Sequence, residues 1–264
     1  MKKIIIASCV MLFAVVTQSQ QKSGKVTYER VSQFIARFNV NGVENESPQT
    51  RKDKFELIFA NNQSLWKAAE QENDDATATS DGGGVHINMI VAGSNDVLYC
   101  NFDSQKQTEK KEFFDKNFIV SDSIRSLKWK MTTETKTILN HNCMKAIATR
   151  ISTKMQMMIN NGSMEKKEIQ DTAFIVAWFT NEIPVPAGPA EFQGQLPGLI
   201  LEMNVSNGKQ TYIATFIAEK ADFAVIKEPT GKRHYTPEEF KKERDKMMEE
   251  MQKNQGGNRQ FRKD

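Results

Sequence analysis

From Gly24 to Ala218 the chain is a succession of short segments rich in β-branched and aromatic residues, parted by turn signals, and this rhythm predicts an all-β fold. Lys25 to Asn39, Lys54 to Ala60, Ser64 to Ala69, Val85 to Val91, Val97 to Phe102 and Thr108 to Phe114 read as strands in the first half. Leu127 to Leu139, Cys143 to Ser152, Thr172 to Phe179, Gly198 to Val205 and Gln210 to Ala218 read as strands in the second. Asn61-Asn62-Gln63, Asn140-His141-Asn142 and Ser206-Asn207-Gly208-Lys209 supply the hairpin turns, since Asn and Gly take a positive φ at little cost. The first strand alternates imperfectly through Val26, Tyr28, Val31, Phe34 and Ile35, which predicts a long bent strand or a bulge. The unbroken apolar run Ala173 to Phe179 predicts a strand buried on both faces. The expected architecture is mainly β, a single antiparallel twisted sheet or a partly open barrel or sandwich, with a C-terminal α-helix.

Three stretches depart from the β pattern. Glu70 to Gly84, acidic and small-residue rich, reads as a solvated loop; its Asp74, Asp75 and Asp81 lack the spacing of a calcium loop. Lys154 to Gln170, with four methionines and the turn Asn160-Asn161-Gly162, reads as an irregular hairpin or a flap. The third is a well-specified helix. Thr236 is its N-cap, Pro237 its first residue, Glu239 completes a capping box, and Tyr235 and Phe240 take the staple positions. The helix is expected to run to Lys253, with a narrow stripe of Phe240, Met247 and Met251, so that it packs lightly on the body or takes a partner.

Lys2 and Lys3 before the apolar run Ile4 to Val16, then Thr17-Gln18-Ser19, form a signal-peptide pattern with cleavage before Gln20. A lipoprotein box around Cys9 is the competing reading, against which stands the short apolar run before that cysteine. The expected divisions are a signal peptide over 1–19, a β-rich domain over 20–230 and a charged helical tail over 231–264 with a disordered end. No later segment is long and apolar enough for a membrane-spanning helix, so the expected chain is exported, to the periplasm or the outer-membrane or cell surface.

Lysine and arginine number 36 against 33 acidic residues, and loss of Lys2 and Lys3 leaves 34 − 33 = +1. A near-neutral exported chain is a poor candidate for nucleic-acid binding. Cleavage removes Cys9 and leaves Cys100 and Cys143, for which a disulfide is expected, with two buried free thiols as the alternative. His86, His141 and His234 are scattered, and no zinc, triad, phosphate-loop or dinucleotide motif occurs, so no catalytic residue, metal or cofactor is expected. Trp129 and Trp178 are candidates for lining an apolar pocket for a lipid-like ligand, against ordinary core packing.

The stretch Asn181 to Glu202 carries four prolines and three glycines between two apolar strands, and reads as a rigid loop. Glu182, Pro184, Pro186, Phe192, Gly194, Leu196, Pro197 and Gly198 are its candidate interaction residues. Gly24-Lys-Val-Thr-Tyr-Glu29, Asp122 to Trp129, Cys143-Met-Lys-Ala146, Ala177 to Pro189 and Leu196-Pro-Gly-Leu-Ile-Leu-Glu202 occur in the order of blocks in the GLPGLI family, which the chain resembles. Gln195 stands where that name has its first glycine, and if φ is positive there either Gln195 is strained or Gly194 takes its place. The resemblance implies an exported bacterial β protein without assigned activity or transferable catalytic residues. It also implies an accessory role beside envelope components, outer-membrane transporters among them. The expected function is a non-enzymatic β module that binds an envelope protein; the alternatives are a hydrophobic-ligand carrier and, third, a glycan- or peptide-acting enzyme.

Overall fold

The computed structural model describes residues 21–40, 43–70, 95–160 and 163–257, and all twelve strands among them join one sheet. The strands are β1 (Gly24–Val40), β2 (Val43–Ala60), β3 (Gln63–Ala68), β4 (Val97–Asn101), β5 (Lys106–Phe113) and β6 (Lys116–Ser123). They continue with β7 (Lys130–Ile138), β8 (His141–Asn160), β9 (Ser163–Thr180), β10 (Leu199–Val205), β11 (Gln210–Ala218) and β12 (His234–Tyr235), before the helix α1 (Pro237–Gly257). Their order is β12-β6-β5-β4-β3-β2-β1-β11-β10-β9-β8-β7, antiparallel except where β12 joins β6. Two meanders are thus joined by the pairing of the first strand with the eleventh.

The turns behave as their residues require. Asn61 and Asn62 have φ of 51° and 57°, Leu139 and Asn140 have 47° and 65°, and Ser206 and Asn207 have 55° each before Gly208 at 89°. Paired positive φ values match the twist of the strands they join.

Curling follows from chain length. Nine strands lie between β6 and β7 in the sheet, which in a flat sheet would part them by about 48 Å. Only residues 124–129 connect them, a reach of about 24 Å. The sheet therefore curls on itself without closing into a barrel, and one face becomes an interior. Val26, Tyr28, Leu57, Phe59, Trp66 and Leu98 from one meander share a single core with Ala146, Ala173, Ile175, Ala177 and Phe179 from the other.

Several expectations change. β9 is buried on one face, not two: Ala173, Ile175, Ala177 and Phe179 point inward, and Phe174 and Trp178 turn outward. Its outward residues stand among mixed neighbours, Trp178 opposite Lys145 and Glu202 and Phe174 opposite Thr149. The stretch 154–170 is part of the continuous β8–β9 hairpin, and β6 was not foreseen. The helix extends to Gly257, past Lys253. Thr236 and Glu239 exchange the two capping-box hydrogen bonds, at 2.9 and 3.2 Å, while Tyr235 and Phe240 both pack on Phe118. The strand expected at Val85 to Val91 and all but the first residue of the loop Glu70 to Gly84 lie outside the described residues.

Cys100 and Cys143 are free, which corrects the expected disulfide. Both thiols are fully buried within the core cluster. Burial pushes the Cys100 thiol up to about 12 and the Cys143 thiol up to about 11, which keeps both protonated and unreactive.

Candidate functional site

The Pro/Gly loop is the first place to look, and it lies mostly inside the curl. Ile183, Val185, Ala187, Phe192, Leu196 and Gly198 are buried, Pro184, Pro186 and Gly194 half-buried, and of the eight candidate interaction residues only Glu182 and Pro197 are exposed. The loop fills the space that a sheet curled but not closed would leave empty. Its backbone bonds to itself and to the sheet, Gly194 N to Pro186 O at 2.6 Å and Ile200 N to Ala187 O at 3.0 Å. Gly194 takes the positive φ, 72°, so Gln195 is free to do something else. Its Oε1 accepts from Leu127 N at 3.2 Å and Trp129 Nε1 at 3.1 Å, tying the plug to the β6–β7 crossing. The loop is therefore a core element, a correction to its reading as a recognition surface.

The two candidate pocket residues part company. Trp129 is held by Gln195 at the crossing, whereas Trp178 lies on the outer face under Lys136 Nζ, 4.4 Å from its ring centre. Lys136 pairs with Glu202 at 2.7 Å and Lys145 with Glu134 at 2.8 Å, so the ring is roofed by satisfied ion pairs.

Both ends of the curl carry polar groups. At the end where β7 turns into β8, Glu182 accepts from Asn142 N at 3.1 Å and lies 2.7 Å from His141 Nδ1. The Asn142 amide first, then His141, hold its carboxyl below the usual range. A shallow depression of about 260 Å³ beside them is lined by Leu139, Asn140, His141, Phe216, Ile217, Glu219 and Gln21, and includes neither tryptophan.

The other end is more distinctive. The inward alternation Val26, Tyr28 continues to Arg30, and Leu57, Phe55 continues to Asp53, so charge caps the core. Arg30 stacks 4.5 Å from the centre of Phe55, which stacks on Trp66 at 4.9 Å, and Trp66 meets Tyr212 edge-on at 6.0 Å. Asp53 receives Arg30 at 2.8 Å and Arg51 at 2.6 Å, and Arg150 binds Glu191 of the plug at 2.9 Å while lying over Phe192. Burial raises Tyr212 and Glu109 above their ordinary ranges, Glu109 despite Lys111 at 2.8 Å. Sequence reading passed over these charges; the signal was a charged residue continuing an inward apolar alternation.

From this end rise two ribbons. β1 pairs with β11 only as far as Ser32, and the β10–β11 turn then ends with Gln33 N bonded to Lys209 O. Among the described strands β1 and β2 continue alone for eight residues, about 27 Å. On the other side of that turn β8 and β9, among the described strands, continue alone beyond Phe174, whose carbonyl accepts from Ser206 N, for about 37 Å. No group of three or more His, Cys, Asp or Glu suited to a metal lies among the described residues. No helix among them is long and apolar enough to cross a membrane, which says nothing of strands.

Comparison with known proteins adds a family without a function. Residues 129–202, which span β7 to β10 and the plug, match a family described as a protein of unknown function, Porph_ging. No curated protein matches. A solved structure of PNGF-II is similar over 81% of this chain and 30% of its own, at 20% identity and a TM-score of 0.46. The chain thus spans under a third of that protein's length. In sequence, this chain is similar over residues 129–202 to proteins of unknown function.

Proposed function

We propose that the chain is an exported, non-catalytic β module of the cell envelope that binds another envelope protein with its two ribbons, and that it is a GLPGLI-type protein. The ribbons carry this reading. A lone two-stranded hairpin is marginal in water, because neither face is packed and each strand has one unsatisfied edge. Two such ribbons at one end of a sheet otherwise curled over its own core make sense as surfaces completed by a partner. The basic n-region and apolar run at residues 2–16 support export, and the ordered blocks from Gly24 to Glu202 support the family. The plug counts against the carrier reading, since it occupies the space a lipid would need.

The test is co-purification from envelope extracts with the mature chain and with a version whose ribbons are cut back to the β10–β11 turn. The full chain is expected to recover a stoichiometric partner and the trimmed chain, verified as folded by its melting transition, to lose it. Repeated recovery of the protein alone, or an equal yield from the trimmed chain, overturns the proposal.

A further inference from the structure

We infer that the gap between the two ribbons is a socket for a β-hairpin of the partner protein, inserted tip-first onto the β10–β11 turn. The inference rests on the reading of the ribbons as a binding surface and names what they bind. Below the turn, β11 and β10 lie between β1 and β9; above it, β1 and β9 continue without them. The gap at its base is therefore three strand spacings wide, about 14 Å, which is the room two strands occupy.

Among the described residues no strand pairs with the edges that face this gap. Gln33 bonds to Lys209 across it, so by strand alternation the backbone groups of Ile35, Arg37 and Asn39 also point into it, while the residues between them pair with β2. Phe174 bonds to Ser206, so the backbone groups of Thr172, Gln170, Glu168, Lys166 and Met164 point into it from the other side. The sheet's two outer edges are treated differently. β12 caps the edge of β6, and a register shift between Met131 and Thr135 breaks up β7.

Direction fits as well. β1 runs toward the ribbon tips and β9 runs back from its own. A hairpin whose first strand descends beside β1 and whose second ascends beside β9 is antiparallel to both, repeating the directions of β11 and β10. A single strand would leave one edge unpaired, and a helix would satisfy neither.

A phage library of disulfide-closed hairpin peptides, panned on the mature chain beside a library of linear peptides, tests this directly. Hairpins are expected to be enriched, and a selected hairpin should slow amide exchange on β1 and β9 together. Ile35→Pro and Gln170→Pro each remove one gap-facing N–H without touching a hydrogen bond inside a ribbon. Each should weaken the selected hairpin about tenfold. Phe34→Pro, which breaks the β1–β2 ladder itself, should damage the ribbon and serves as the contrast. Enrichment of linear peptides only, sensitivity to one of the two gap-facing prolines only, or indifference to both overturns the socket. Loss of the envelope partner on trimming together with any of those results overturns the socket alone and leaves the reading of the ribbons standing.

Discussion

On the outer face of β2 to β5, Ile58, Leu65, Tyr99 and Thr108 form a cross-strand row with Ile119 of β6 beside it, and all are buried. On the outer face of β8 to β11, Ile151, Phe174, Ile213 and Phe216 are 67%, 42%, 40% and 57% exposed. Both faces carry apolar side chains at outward positions, and among the described residues only the first has a cover. It is the chain that follows β11. The short 3-10 turn Phe223–Val225 sits against β2, Thr108 Oγ1 donates to Glu228 Oε1 at 2.6 Å, Gly231 lies on Ile119, and His234 reaches Ser121 at 3.0 Å. β12 and the first turn of α1 then finish the edge at Phe118. An apolar residue on the outer face thus states that a cover suits it, and the strap shows what a cover for this sheet looks like.

Ending the chain at Ala218 breaks the comparison outright, since both faces are then open. Re-exposing five largely apolar side chains, at about 1.5 to 3 kcal/mol for a full Leu or Ile, should cost on the order of 5 kcal/mol or more, read from urea midpoints. A midpoint close to that of the full chain would mean the strap covers without stabilising.

Next in size is a matched pair of truncations. Leu65→Ala, under the strap, should cost about 2 to 4 kcal/mol, and Phe174→Ala, on the open face, about 0.5 kcal/mol. Equal losses would erase the distinction between the halves.

Gly231→Val probes the strap's fit. A Cβ there would stand 2.6 Å from Ile119 Cγ1, and the displacement should cost about 1 to 3 kcal/mol in thermal melts.

The last test, which appears only at alkaline pH, concerns the thiols, one in each half. Both pKa values are raised by burial, so below about pH 9 neither folded nor unfolded thiol is ionised and the stability that their burial allows is fully present. Above it the unfolded thiols ionise first, and stability falls by about 1.4 kcal/mol per thiol per pH unit until about 11 for Cys143 and about 12 for Cys100. Cys143→Ala should make the loss between pH 9 and 11 shallower in denaturation curves taken at each pH. An unaltered slope would show that this thiol is not shielded.

The strands and their turns were legible because both depend on near neighbours. Asn pairs announce positive φ, and Val26, Tyr28, Leu57 and Phe59 announce an inward face. The capping box at Thr236 and Glu239 was legible for the same reason. What was not legible depends on residues far apart. Nothing local to Phe192 or Leu196 says that their loop fills a curl made by strands on both sides, and the same prolines would suit an exposed loop. Trp178 looked like core because its neighbours in sequence are core; its register opposite Lys145 and Glu202 turns it outward. The cysteines looked like a pair because only two remained, yet both stand as free, buried thiols. The ribbons were read only in part: β1 was expected as one long strand to Asn39, whereas β2 was expected only from Lys54 and the stretch 154–170 as an irregular hairpin or a flap.

The pairing of β1 with β11 also sets a timetable. Lys25 lies opposite Ala218, and Tyr28, at the centre of the core, donates its hydroxyl hydrogen bond to Ile200, 172 residues away. Closing so long a loop carries an entropic cost that grows only slowly with length but must be met before the contacts form. A chain delivered N-terminus first therefore holds its first strand paired on one side only until its eleventh has arrived. Such a chain folds late and slowly, with its edges open to helpers or to its own kind in the interval.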